Sequence, residues 1–572
     1  MTPWMSLTLG VLALSRQALC ASGDICSIYN VLASIIDDRL YFIGGNYSTA
    51  TYDGQVIKPS TNLYYLDLDS QFPVERTIPK SSLHTDAVTP RSTPAYNLAK
   101  GGNGDGVIWT MNDTMYFFGG GFGDSDFANG VDTISSYNAS TGRWKNVQVN
   151  GGNFNFGNRS DTQSASIPEA GLGFVYGGRE PYMHGMIRFD ASDPNNPSWT
   201  NETLNNGSHG VDVPRLNAGA MVYVPAGKEG MLISFGGGNI TQGLSPSSGW
   251  PFPSDWNVIY VYDIASHTWW MQKASGDPPI DRTSFCAVVT ESPDRSAFHI
   301  TTYGGWSLTE QRSYEDVNIL TIPSFQWIDA TELSKKTNLE QQVNSTIGRD
   351  GVSHCQIYQG AQMVVLGGNI RAGAYSITDE ECSNVFDPTR VLELSTYKWQ
   401  TNLDTNSTYK VPSVIYDKIG GGATGGATIT VPSAGFADAT LASLIQKRVP
   451  NSGISGSISS SSDGPSSTNS SSQGSNNTSS HVKTGAIAGG VVGGVAGLAL
   501  IIALTWYLVQ RKERPQTEEN SVKPPVANVL SELPGDAQAE LPVQPGMYVE
   551  MPGGQGIGEL QGESKPRAEL RS

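Results

Sequence analysis

The residues best equipped for chemistry in this chain are seven histidines, five cysteines and a recurrent set of arginines and aromatics. The histidines are His84, His184, His209, His267, His299, His354 and His481. They are scattered, and no two stand at the short spacing of a metal-ligand pair. No two cysteines stand in a CxxC arrangement, which argues against a zinc cluster. Acid pairs such as Asp37/Asp38 and Asp124/Asp126 have the composition of a glycosidase dyad, but adjacent acids are more simply turn caps. The nearest approach to a nucleophile elbow, Gly453-Ile454-Ser455-Gly456, has the wrong spacing. The sequence therefore assigns no catalytic residue, no metal ligand set and no cofactor. Recognition chemistry is better represented. Arg91, Arg159, Arg215, Arg282 and Arg349 each open a small-residue strand ahead of a Gly-Gly doublet. Five guanidinium groups in one recurring position would form a ring suited to a carboxylate or phosphate. Inter-unit hydrogen bonding to carbonyls is the structural alternative. Aromatics follow the doublets: Tyr47, Tyr52, Trp250, Phe252, Trp256, Trp306 and Tyr375. Exposed, they would stack on sugars or anchor a protein partner; otherwise they pack their own loops.

These residues are positioned by a repeat. An apolar β-rich run closed by Gly-Gly occurs six times, ending at Gly45, Gly120, Gly178, Gly237, Gly305 and Gly368, with spacings of 75, 58, 59, 68 and 63. After each doublet comes an alternating strand, a turn and, in five copies, a tryptophan: Trp144, Trp199, Trp269, Trp327 and Trp399. The first copy, around Tyr65-Leu66-Asp67-Leu68, has none. Repeats of this period build a solenoid or a propeller. The composition agrees, with 65 glycines, 12 tryptophans and 23 tyrosines in 572 residues and few charges. A doublet lets a strand end turn where a Cβ would clash, and a tryptophan fills the gap between sheets.

The Gly-Gly, Tyr and Trp pattern over about residues 24–430 resembles the kelch motif. That resemblance implies an all-β ectodomain, a six-bladed kelch-type propeller with enlarged loops, over residues 23–434. Kelch propellers resemble that of galactose oxidase, but the copper site of that enzyme needs His and Tyr ligands that cannot be assembled here. His354 resembles the Gly-His of common kelch repeats and reads as structural. Val411–Tyr416 is expected to be the strand closing the ring, residues 420–434 to lie over a face, and Ala437–Lys447 to form a short helix within a linker, 435–450.

Residues 1–22 read as a secretory signal built on the apolar run Leu7–Leu14. Residues 451–483 are a Ser-rich stalk, with 15 serines in residues 451–480, too polar to bury a core. Residues 484–509 carry no charge and are long enough for a single transmembrane helix. Arg511, Lys512 and Arg514 follow, placing the C-terminus in the cytosol by the positive-inside rule. Gly485, Gly489, Gly493 and Gly497 would allow a helix dimer. Residues 510–572 form a disordered tail that repeats Glu-Leu-Pro-like elements, a device for docking a cytosolic partner. Twelve N-x-[ST] sequons, at Asn46, Asn112, Asn138, Asn158, Asn201, Asn206, Asn239, Asn344, Asn406, Asn469, Asn476 and Asn477, all precede the apolar segment. The order of segments resembles kelch-repeat, cell-wall-anchored membrane proteins of filamentous fungi.

Cysteine usage fits an oxidising compartment. Cys355 and Cys382 flank one strand and loop of a single repeat and are the expected disulfide, leaving Cys26 and Cys286 unassigned. The net charge of −17 and pI near 4.9 exclude a general nucleic-acid binder. The reading is a non-enzymatic type I surface glycoprotein, at the plasma membrane or cell surface, recognising a wall glycan or protein. The alternatives are an enzyme of the galactose-oxidase or hydrolase kind, and a purely structural glycoprotein.

Overall fold

The computed structural model describes residues 23–49, 56–58, 62–74, 77–89, 106–119, 133–151, 161–178, 185–202, 213–246, 251–335, 355–368, 370–372, 375–377 and 388–450. The signal, stalk, membrane and tail segments lie outside them, as do Arg91, Arg159, Arg349, Trp250, Cys382 and the sequons at Asn158, Asn206, Asn344, Asn469, Asn476 and Asn477. No helix among the described residues is long and apolar enough to cross a membrane.

Each Gly-Gly copy forms one sheet with four antiparallel strands, and blade 5 carries a fifth, Ser275–Gly276, parallel to its outer strand. Blade 1 runs Leu32–Ile36, Arg39–Ile43, Asn62–Asp67 and His84–Ala87. Blade 2 runs Val107–Met111, Thr114–Phe118, Thr133–Asn138 and Arg143–Gln148. Blade 3 runs Gln163–Ile167, Leu172–Tyr176, Met186–Asp190 and Ser198–Asn201. Blade 4 runs Ala220–Val224, Met231–Phe235, Val258–Asp263 and Thr268–Lys273. Blade 5 runs Cys286–Glu291, Phe298–Tyr303, Val317–Ile322 and Gln326–Asp329. Blade 6 runs Cys355–Tyr358, Gln362–Leu366, Thr389–Glu393 and Lys398–Gln400. The first strand of each blade lies beside the first strand of the next, and that of blade 6 lies beside that of blade 1. The ring is closed: six blades, each made from contiguous sequence.

The hydrophobic core is divided among the seams. Six clusters of buried residues each join two neighbouring blades, including one that joins blade 6 to blade 1. Four of the five outer-strand tryptophans pack on the ring that precedes the doublet of the previous blade, whereas Trp144, facing a blade with Ile43 at that position, meets Phe117 and Tyr137 of its own blade. Trp199 meets Phe118, Trp269 meets Tyr176, Trp327 meets Phe235, and Trp399 meets Tyr303, with centroids 5.0–5.6 Å apart. Blade 1, which lacks the tryptophan, meets blade 6 through a cluster containing Leu66, Phe72, Val74 and Leu366.

The doublet is an inter-blade latch. The N–H of Gly178 donates to the Leu216 carbonyl, that of Gly237 to Arg282, and that of Gly368 to Ile28. Each acceptor stands four residues before the first strand of the following blade. The same bond therefore closes blade 6 on blade 1. The approach leaves no room for a side chain: a Cβ on Gly177 (φ +64°) would stand 1.9 Å from the Leu216 oxygen, and on Gly367 (φ +72°) 2.1 Å from that of Ile28.

Two expectations need correction. Val411–Tyr416 does not close the ring as a strand. Ser413–Ile419 is helix α2, following α1 (Thr331–Lys335), and buries Ile415 and Ile419 one turn apart in the seam of blades 5 and 6. The disulfide joins Cys355 to Cys286, not to Cys382. Both cysteines open first strands, and those strands are neighbours, so their Cα atoms lie 5.5 Å apart. Cys26 is also disulfide-bonded. The expected short helix is present as α3 (Ala439–Ile445), capped by Asp438 accepting from the Thr440 N–H.

Candidate functional site: the face of the Gly-Gly loops

The loops that follow the doublets leave from the edge where each blade hands over to the next. Several are built into ordered β-structure. In blade 1, Asn46–Thr49 pairs with Ile25–Tyr29 and with Val56–Lys58. In blade 4, Gly238–Leu244 pairs with Leu216–Asn217 and Pro251–Pro253. In blade 5, Trp306 bridges Thr283 and Ser313. In blade 6, Ile370–Ala372 pairs with Tyr375–Ile377.

Of the two described arginines, Arg282 is engaged inside the protein and Arg215 lies in a different setting. Arg282 is 2% exposed. It bonds Asp316 Oδ2 at 2.5 Å and the carbonyls of Ile280 and Asp281, and its guanidinium carbon lies 3.5 Å from the Tyr314 ring centroid. Charge pairing and ring stacking are both satisfied inside the protein. Arg215 is half-buried and sits one register position earlier, since Leu216, not Arg215, receives the latch bond that Arg282 receives. Its backbone is tied to Thr241 and Ile240. A recurring arginine thus marks a recurring linker, and the two side chains occupy different environments. We expect Arg282→Ala to cost about 3 kcal/mol in urea unfolding by stranding Asp316, with little change in the circular-dichroism spectrum of the folded state.

The aromatics divide in the same way. Trp256 is 4% exposed and packs against Phe235, Phe285 and Trp327, so it is core and not a ligand platform. Its loop folds back into the seam of blades 4 and 5, where its carbonyl accepts from Trp327 Nε1 at 2.9 Å. Tyr47 is buried and donates to the Gly44 carbonyl. Trp306 and Phe252 are half-buried. What the blade 4 loop does present is the far end of its first strand: residues 241–244 are exposed, and Leu244 is 45% exposed. No signal in the sequence singled out Leu244, because one leucine among turn residues has no periodic partner.

The described histidines lie on three different blades. His84 stacks on Tyr65 and reaches Asp67 at 3.2 Å. His267 Nδ1 is 2.6 Å from Glu202 Oε2, which also accepts from Tyr262 Oη at 2.8 Å. Burial and the Glu202 charge push the Tyr262 hydroxyl up, so it remains a donor. This buried carboxylate ties blade 3 to blade 4. His299 is fully buried, and burial holds its imidazole down at about 3. Among the described sequons, Asn112, Asn201 and Asn406 are exposed and Asn46, Asn138 and Asn239 half-buried.

One curated relative carries the kelch name. It is a "Kelch repeat-containing protein" of Arthroderma benhamiae, 27% identical over 484 residues, covering 73% of this chain and 66% of the relative. The chain thus spans just under two thirds of that protein's length. No family model matches the chain. Among solved structures, "Structure of YjhT" covers 67% of this chain and 99% of its own, with 13% identity and a TM-score of 0.39. The likeness to the fungal protein agrees with the motif resemblance drawn from Gly-Gly and Trp, and the seam geometry gives that motif its physical meaning.

Proposed function

We propose that this chain is a non-enzymatic, single-pass type I surface glycoprotein whose propeller recognises a protein or wall glycan. The recognition face is the one bearing the Gly-Gly loops. The observation that carries this reading is the blade 4 loop. It is ordered by pairing on two sides yet projects Leu244 and its neighbours to solvent, where they contribute nothing to a seam. A rigid, partly apolar projection costs little entropy on binding, as a partner anchor requires. Disulfide-bonded Cys26, Cys286 and Cys355 support an oxidising compartment. The placement of every sequon before the apolar segment supports an external propeller. The tail elements would engage a cytosolic protein, and the membrane glycines a second copy.

The test is saturable binding of the purified chain to wall polysaccharides and cell-surface protein extracts. Leu244→Asp should weaken binding about tenfold or more, the scale of a modest hot spot, and leave the urea midpoint unchanged. Trp256→Ala should do the reverse, lowering stability first. Absence of saturable binding to either panel would overturn the recognition reading.

A further inference from the structure

The face opposite the Gly-Gly loops is crossed by the C-terminal part of the propeller chain. After blade 6, residues 404–450 run across the turns of blades 6, 5 and 4. The turn between the first two strands of blade 5, Ser292–Ala297, holds this segment twice. Asp294 Oδ2 accepts from the Gly426 N–H at 2.5 Å, and Ser296 Oγ accepts from Gly426 and Ala427. Further along, Arg448 donates to the carbonyls of Arg295 and Ser296, and the Val449 N–H to that of Pro225. Before the first grip, α2 drops Ile415 and Ile419 into one seam, and between the two grips α3 drops Leu441 and Ile445 into the next.

Beside that turn, at the start of the second strand of blade 5, lies His299. Tyr409 of the crossing segment places its hydroxyl 2.8 Å from His299 Nδ1 and its ring centroid 5.9 Å away. The other ring nitrogen, Nε2, is buried with no hydrogen-bonding partner among the described residues. The neighbouring hydroxyls of Thr301 and Tyr397 bond each other at 2.9 Å. Asp294 is the charge that acts on the imidazole. Glu291 and Arg295, at the same end of blade 5, are paired with each other at 2.7 Å, and Arg448 lies over the Phe298 ring. Among the described residues no carboxylate bonds the imidazole to stabilise a second proton on it.

We propose that residues 404–450 form an acid-releasable strap: protonating His299 requires Tyr409 and the segment carrying it to lift, while the six-bladed ring stays folded. The sign follows from linkage. With the strap down, burial keeps the His299 imidazole neutral to about pH 3; with it lifted, the ring titrates near 6.5. Between those values opening takes up one proton. The opening constant therefore rises about tenfold for each pH unit lost. Asp294 adds to this at lower pH. Partial burial raises its carboxyl, but the bonds from Ser296, Ser292 and Gly426 outweigh that and hold it below its ordinary value. Those bonds are lost as it protonates.

The test is hydrogen–deuterium exchange of the full chain at pH 6, 5 and 4, corrected for intrinsic rates. Amides of residues 413–419 and 439–445 should open about a hundredfold more at pH 4 than at pH 6, while second-strand amides of blades 2 and 3 hold. His299→Leu should flatten the dependence. Tyr409→Phe, which keeps the ring, should raise opening already at pH 6 and retain the slope, so the inference stays testable should the histidine variant misfold. A pH-independent strap, a slope that survives His299→Leu, or exchange of strap and blades in one step would each overturn it.

Discussion

Trp327→Ala should cost about 3–5 kcal/mol in equilibrium urea unfolding, the range for truncating a large buried aromatic. The side chain is 1% exposed and stands where blades 4 and 5 meet. It packs on Phe235 of the previous blade and on Trp256 of the folded-back loop, at centroid distances of 5.6 and 5.4 Å. Its indole N–H is also spent, on the Trp256 carbonyl. Truncation therefore opens a cavity and strands a buried acceptor together, and the two losses act in the same direction. Trp327→Phe keeps most of the volume and should cost about 1–2 kcal/mol. Equal costs for the two variants would mean that the hydrogen bond, not the packing, holds this seam. A negligible cost for both would contradict the role assigned to the repeated tryptophan.

The same seam shows what could and could not be read from the residues alone. Gly-Gly and Trp recur because each blade must solve one steric problem at one register position, and a local solution repeated six times is visible as spacing. Hence blade number, strand order and the helix at Ala439–Ile445 were legible. Trp256 was not. It stands outside the repeat register, in a loop whose return path depends on Phe285 and Trp327, residues 29 and 71 positions away in a different blade. The burial of Arg282 was not legible for a related reason. Recurrence reports a shared position in the linker, and whether a guanidinium faces solvent depends on partners such as Asp316 and Tyr314 that do not recur. Val411–Tyr416 carries β-favouring residues, yet Pro412 supplies no N–H to a ladder, and Ile415 and Ile419 fall on one helical face over an apolar seam. Tertiary burial decided between the two readings. His299 was visible only as a lone histidine, and its meaning comes from Tyr409, 110 positions later.

The disulfide provides the second large effect. Replacing both Cys286 and Cys355 by alanine should lower unfolding free energy by about 4 kcal/mol, from the loop entropy of a 69-residue separation. The bond joins the first strands of blades 5 and 6 near the centre of the ring, where the strands are closest together. The apolar cluster around it includes Val288, Tyr303, Val365 and Leu392, so alanine avoids burying a hydroxyl with no partner. The double variant should fold and stay monodisperse, because the seam keeps its tryptophan contact, Trp399 on Tyr303. Peptide mapping without reductant should recover one linked pair containing Cys286 and Cys355; a Cys355–Cys382 pair in its place would overturn the assignment. Reductant should destabilise the wild type further than the double variant, because the bond made by Cys26 is lost as well. If reduction left the wild type unchanged, the ring would be held by its seams alone. The cysteines would then cease to argue for an oxidising compartment, leaving the sequons and the apolar segment to carry that reading.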